Sequence, residues 1–182
     1  MKKSLVAFFL SLIFVLSLSA PLVSAKTSST SKTTSTYTSY DKSLTFSYPK
    51  GWFIEDRKDY ICLTNFKRDS YGGESKPLEK WMIKIAIDLG PNMENYTLAD
   101  LLKGFGDDDH KVIQPRKVVT VNGKKFVKEI VDVDLDGGTR VISLSTIQKG
   151  KYYYAEACIP SGNYVKKSQQ EAEKILASIR IK

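Results

Sequence analysis

Asp132, Asp134 and Asp136 alternate along the chain and run into Gly137, the spacing with which the first half of a calcium loop collects oxygen ligands. A complete loop of that kind counted from Asp132 needs a bidentate glutamate where Ser143 stands and an apolar residue where Thr139 stands. The aspartates also alternate with Val131, Val133 and Leu135, so a strand with one wet face accounts for the spacing without any metal. The only histidine, His110, follows Asp107-Asp108-Asp109, which could help hold a divalent ion but reads as well as an exposed acidic loop. Extracellular calcium binding, through the hairpin aspartates or through Asp107 to His110, is therefore the alternative reading of function. A Ser-His-Asp or Cys-His site would have to use this same His110, and no nucleophile elbow or cysteine-protease signature accompanies it. Gly104-Phe105-Gly106 lacks the preceding strand and further glycine of a dinucleotide loop. The chain is read as a non-enzyme without a cofactor.

Cys62 and Cys158 are the only cysteines. Strand alternation groups Cys62 with Tyr60 and Thr64, and Cys158 with Tyr152, Tyr154 and Glu156, which are the less apolar faces of their strands. An even count in an oxidising compartment makes the pair a disulfide candidate, provided that their strands are neighbours.

The formal charge is +8, part of it from Lys2 and Lys3 at the extreme N-terminus. Lys117, Lys124, Lys125 and Lys128, with Lys111 and Arg116 nearby, form a basic cluster suited to an acidic protein or an anionic envelope polymer. No nucleic-acid-binding motif is present, and nucleic acid is not expected for an exported chain. The tyrosines at 152, 153 and 154 offer either an aromatic binding surface or, by alternation, core on one face and packing on the other.

Export is read from the N-terminus. Lys2 and Lys3 precede an apolar run from Leu5 to Leu18, and Val23-Ser24-Ala25 supplies small residues for cleavage. The run is shorter than the ~20 residues of a membrane span and Pro21 interrupts its end, so residues 1–25 read as a signal peptide. The expected location is secreted or cell-envelope, as a monomer that does not span the membrane. Residues 26–39, almost all Ser and Thr, read as a disordered arm, and residues 40–182 as one globular domain.

The elements of that domain follow from periodicity and turns. Leu44, Phe46 and Tyr48 alternate with polar residues up to Pro49-Lys50-Gly51, after which Trp52 is expected as a largely buried plug. Strands follow at Tyr60 to Phe66 and Trp81 to Leu89, separated by an exposed loop over Arg68 to Pro77. From Arg116 to Pro160 the chain reads as a meander. Its turns fall at Asn122-Gly123, Asp136-Gly137-Gly138 and Lys149-Gly150. Phe126 and Ile130 have one parity and Val131, Val133 and Leu135 the other, which requires a bulge near Lys128 to Val131 or burial on both faces. Thr97 and Asp100 frame a capping box for a short helix with Leu98, Leu101, Leu102 and Phe105 on one stripe. A longer helix from Val165 to Ser178 presents Ala172, Ile175 and Leu176, and the small residues Ala155 and Ala157 would let it lie close to the sheet.

Leu44 to Trp52, reading LTFSYPKGW, followed by this order of elements to a terminal helix ending in Ala177-Ser178-Ile179, resembles the PsbP-like family over residues 38 to 182. That family is named for an extrinsic subunit of the photosynthetic oxygen-evolving complex and shares its fold with a Ran-binding nuclear import factor. The resemblance implies an α+β fold, a central antiparallel sheet with helices packed on its faces (an α/β/α sandwich), and a non-enzymatic accessory or binding role for an exported bacterial or archaeal relative. No family metal-ligand motif can be placed on these residues, and the N-terminus is a secretory leader rather than a transit sequence, so photosynthesis is not carried over.

The mature protein is expected to begin at or within a few residues of Lys26; N-terminal sequencing of the secreted form checks this, and retention of residues 5–18 would refute it.

Overall fold

A computed structural model describes residues 33–67, 78–104, 110–134, 138–162 and 165–182. The expected leader, the loop over 68–77, Asp107 to Asp109 and Asp136 lie outside the described residues. Among the described residues no helix is long and apolar enough to cross a membrane.

Residues 32–182 form one compact unit. Its strands are β1 (Thr34–Thr38), β2 (Leu44–Pro49), β3 (Phe53–Arg57), β4 (Tyr60–Thr64), β5 (Lys84–Pro91), β6 (Lys111–Val121), β7 (Lys124–Val133), β8 (Thr139–Gln148), β9 (Lys151–Pro160) and β10 (Arg180–Ile181). Helix α1 spans Leu98–Lys103 and α2 spans Val165–Ala177. A large sheet has the order β3-β4-β5-β9-β8-β7-β6 and a small one the order β1-β2-β10. All the pairings are antiparallel, as tight hairpins favour. The expected α+β fold with an antiparallel meander is what forms.

Alternation sorts the large sheet into two faces. Across the inner face, Leu63, Ile85, Ala157, Ile142 and Ile130 lie opposite one another from β4 to β7. All five are buried, in one cluster with Leu44 and Phe46 of β2 and Ala172, Ile175 and Leu176 of α2. Helix α2 packs on β9, β8 and β2. It can do so because Ala155, Ala157 and Ala172 keep side-chain bulk out of the contact. Trp52 is only partly buried, and packs against the edge of this cluster rather than within it.

The reading of 26–39 as a disordered arm does not hold for its described part. Thr34–Thr38 is strand β1, paired with β2 along its whole length. Tyr37 compensates for the polar composition, with its ring centroid 5.0 Å from that of Phe46 and its hydroxyl donating to Asp56 on β3. Asp41, in the turn after β1, accepts from the Lys151 ammonium, the Ser43 hydroxyl and amide, and the Ser39 hydroxyl, and these bonds, that of Lys151 first, hold its carboxyl well below the usual range.

Strand β7 meets the parity conflict by burial on both faces: Phe126 and Ile130 are buried on one side, Val127 and Val131 on the other. Its register with β8 runs unbroken from Val127 to Val133. The irregularity sits in the partner strand, where β6 shifts between Val112 and Gln114 and again between Gln114 and Lys117, around Pro115.

Thr97 caps α1 with the expected box, its amide bonding Asp100 at 2.7 Å. Leu101 is buried, but Leu102 is 40% exposed, because a six-residue helix offers only a narrow stripe. Gly104, with φ +84°, ends it, and a Cβ there would fall 1.6 Å from Arg116 Nη1. Arg116 in turn donates to the Lys103 carbonyl and to Glu129 of β7.

The hairpin tip at Asn122 does more than turn the chain. In the left-handed conformation (φ 46°), its Nδ2 donates to the Ala177 and Ile179 carbonyls at 3.1 and 2.7 Å, fastening the hairpin to the end of α2. Asn122→Gly keeps the turn and loses both bonds, an expected cost of about 1–2 kcal/mol. Asn122→Ala loses the same bonds and, unlike glycine, keeps a Cβ in the left-handed region without the asparagine side chain that favours it, so it should be less stable than the glycine variant by about 1–2 kcal/mol. Urea unfolding of the two variants checks the order, and equal stabilities would contradict it.

Candidate binding surface

Among the described residues, those singled out from the sequence do not converge on one site. Asp132 faces the inner side of the sheet, directly opposite Arg140 on β8. Its two carboxylate oxygens accept from Arg140 Nε and Nη2 at 2.7 and 3.0 Å, and Arg140 Nη1 continues to Gln169 of α2 at 3.2 Å. A bidentate guanidinium therefore occupies the oxygens that calcium would need, and raises the affinity of Arg140 for its own proton. Asp134 is exposed. Among the described residues no group of three His, Cys, Asp or Glu side chains could hold a metal ion.

The basic cluster is divided by the pleat. Lys117 and Lys124 lie on the inner face with Lys128, whereas Lys125 shares the outer face with Thr120. The Lys128 ammonium is engaged by Glu173 of α2 at 2.6 Å, and Arg116 by Glu129 at 3.0 Å. What remains is a thin rim of lysines at one sheet edge.

Cys62 and Cys158 are not disulfide-bonded, and the bond expected as a candidate does not form. Their strands are not neighbours. Strand β5 lies between β4 and β9, with Ala86 opposite Cys62 and Lys84 opposite Cys158. Two strand spacings of about 4.8 Å put the pair well beyond bonding reach, even though both share the outer face. Burial, and then the charge of Glu156, pushes the Cys158 thiol up to about 12, so it is held protonated and is a poor nucleophile.

The outer face holds the most ordered arrangement of chemistry-bearing groups. Helix α1 rests on β6, β7 and β8. Beside this covered part, β5 and β9 present Asp88, Tyr152, Tyr154, Glu156 and Lys84 outward, with Asp88 opposite Tyr154 and Gly90 opposite Tyr152. Tyr153 points the other way, into the core. The Tyr152 and Tyr154 rings stack at 6.4 Å between centroids and 11° between planes. The Tyr154 hydroxyl donates to Glu156 at 3.0 Å. Burial and then Glu156 drive the Tyr154 phenol far above its ordinary pKa, and burial followed by Asp88 and Tyr96 raises that of Tyr152. Partial burial likewise raises the Asp88 carboxyl. Gly90, opposite Tyr152, leaves its ring without a side chain across the strand pair. Two fixed, nearly parallel rings between carboxylates form a platform for an apolar or cationic group. Sequence alternation could separate Tyr153 from its neighbours, but not show that, among the described residues, α1 rests on β6, β7 and β8 while α2 packs on β9 from the opposite face.

No family model matches this sequence, and no curated protein does. Solved structures of similar fold exist. The Ran-binding protein Mog1p of Saccharomyces cerevisiae superposes with a TM-score of 0.55 at 14% identity, over 83% of this chain and 96% of that one. Cyanobacterial PsbP (CyanoP) from Synechocystis sp. PCC 6803 gives 0.56 at 14% identity, over 90% and 100%. A protein of Bacteroides thetaiotaomicron gives 0.55 at 14% identity, covering 81% of this chain and 48% of that one. The chain thus has the PsbP/Mog1-like α+β fold, with the identity of that resemblance confined to the fold.

With Cys158 titrating near pH 12, the native protein should leave that thiol unmodified by a disulfide-exchange reagent at pH 8, and both thiols should react once it is denatured. Mass analysis after alkylation without reductant counts them; an unreactive pair after denaturation would show a bond.

Proposed function

We propose that this protein is an exported, non-enzymatic binding domain that docks a protein partner on the outer face of β5 and β9. The observation that carries the reading is the Tyr152–Tyr154 stack, set between Asp88 and Glu156 on a sheet face whose opposite side already supplies the core. A tyrosine offers large, stiff contact area at little entropic cost, which is why such rings anchor protein interfaces. Partner recognition on this fold has a precedent in a structural neighbour described as Ran-binding. Export is proposed from the leader pattern of residues 1–25. A protein fits better than an anionic polymer as the main partner, because Lys128 and Arg116 are spent on internal carboxylates and the platform itself is flanked by acids.

Placing a photo-cross-linking amino acid at Tyr152 in producing cells is the test, with the exposed Lys166 of α2 as control position. A discrete adduct from position 152, absent from 166 and abolished by Asp88→Lys, is the expected result. Once the partner is in hand, Tyr152→Ser should weaken binding at least about tenfold with little change in melting temperature. Equal adducts from both positions, or none, would refute the platform.

A further inference from the structure

We infer that β6 is a strand-addition site for an extended acidic segment of another protein, separate from the tyrosine platform. β6 is the terminal strand of the large sheet, so one row of its backbone donors and acceptors faces away from β7. Its first half is unsuited to pairing, since Pro115 and two register shifts bend it. Its second half, Lys117 to Val121, is regular, each residue opposite one of Lys124 to Lys128. The Asn122 bonds to the end of α2 hold this segment in place, so an incoming strand meets a preformed edge.

Both faces of that edge are prepared for side chains. On the inner side Val119 and Val121 line a shallow cavity of about 170 Å³ with Leu144, Leu176 and the Lys128–Glu173 pair. On the outer side Val118 is 44% exposed. An added strand alternates its side chains over these two sites, one apolar residue seated in the cavity and its neighbours turned to the rim.

Charge selects the occupant. Lys117, Lys124 and Lys125 surround the segment, and among the described residues none has a carboxylate partner. A second copy of this chain would bring the same three lysines against their equivalents, so self-pairing is opposed and an acidic segment is favoured. The opposite edge, β3, lacks these features: it carries Glu55 and Asp56, and Tyr37 of β1 already bonds Asp56.

The test uses the full chain and a labelled peptide of ~8 residues alternating glutamate with valine, followed by fluorescence anisotropy and amide hydrogen exchange. Binding should slow exchange within Lys117 to Val121. N-methylation of alternate peptide amides, and separately the Lys117→Glu/Lys125→Glu double substitution, should each weaken binding about tenfold or more. Tyr152→Ser should leave it unchanged, which keeps this result independent of the platform. Equal binding of the N-methylated peptide or of polyglutamate, without exchange protection, would mean a polyanion surface and overturn the proposal, as would no binding at all.

Discussion

Everything in this fold depends on how closely α2 can approach the large sheet. The contact is made through Ala155 and Ala157 on β9 and Ala172 on the helix, all nearly inaccessible. With small residues there, Ile175 and Leu176 reach the row formed by Ile85, Ile142 and Ile130, and β2 closes the other flank with Leu44 and Phe46. Larger side chains at those alanines would lift the helix, and the chain beyond it would no longer bring β10 to β2. Ser178, at the helix end, makes that link polar as well, accepting from the Ser47 amide and donating to the Ile175 carbonyl.

A consequence is that the polar groups used to fasten elements are unavailable for ligands. Arg140 joins β8 to Asp132 of β7 and to Gln169 of α2, and Arg116 joins β6 to Glu129 and to the end of α1. Partly buried, bidentate or multiply bonded guanidinium groups of this kind fix the relative placement of elements more than they add net stability. Of the acidic and basic residues with suggestive spacing in the sequence, Asp132, Arg116 and Lys128 are thus structural, while the alternation of tyrosines along β9 puts Tyr152 and Tyr154 side by side on the outer face.

The two faces of the large sheet divide the labour. The inner face is apolar from β4 to β7 and is occupied by α2 and the small sheet. The outer face buries Val127 and Val131 on the side on which α1 rests and Cys62 and Ala86 on β4 and β5, and it carries Asp88, Tyr152, Tyr154 and Glu156 along the rest of β5 and β9. A short helix covers little area, so the polar groups of β5 and β9 stand on a paired strand rather than on a loop.

The sequence by itself determined the elements that local physics governs. Period-two alternation marked β2, β5 and β9, Asn122-Gly123 marked a hairpin, and Thr97 with Asp100 marked the start of α1. It also established that β7 could not be a one-sided strand, since parity is a property of the chain alone. Only the tertiary structure decided which strands are neighbours. That placed β5 between Cys62 and Cys158, gave Asp132 to Arg140, and turned Thr34–Thr38 from a polar arm into an edge strand held by Tyr37. Neighbour identity depends on chain-distant packing, and a strand's own pattern says which face is buried but not which strand lies beside it.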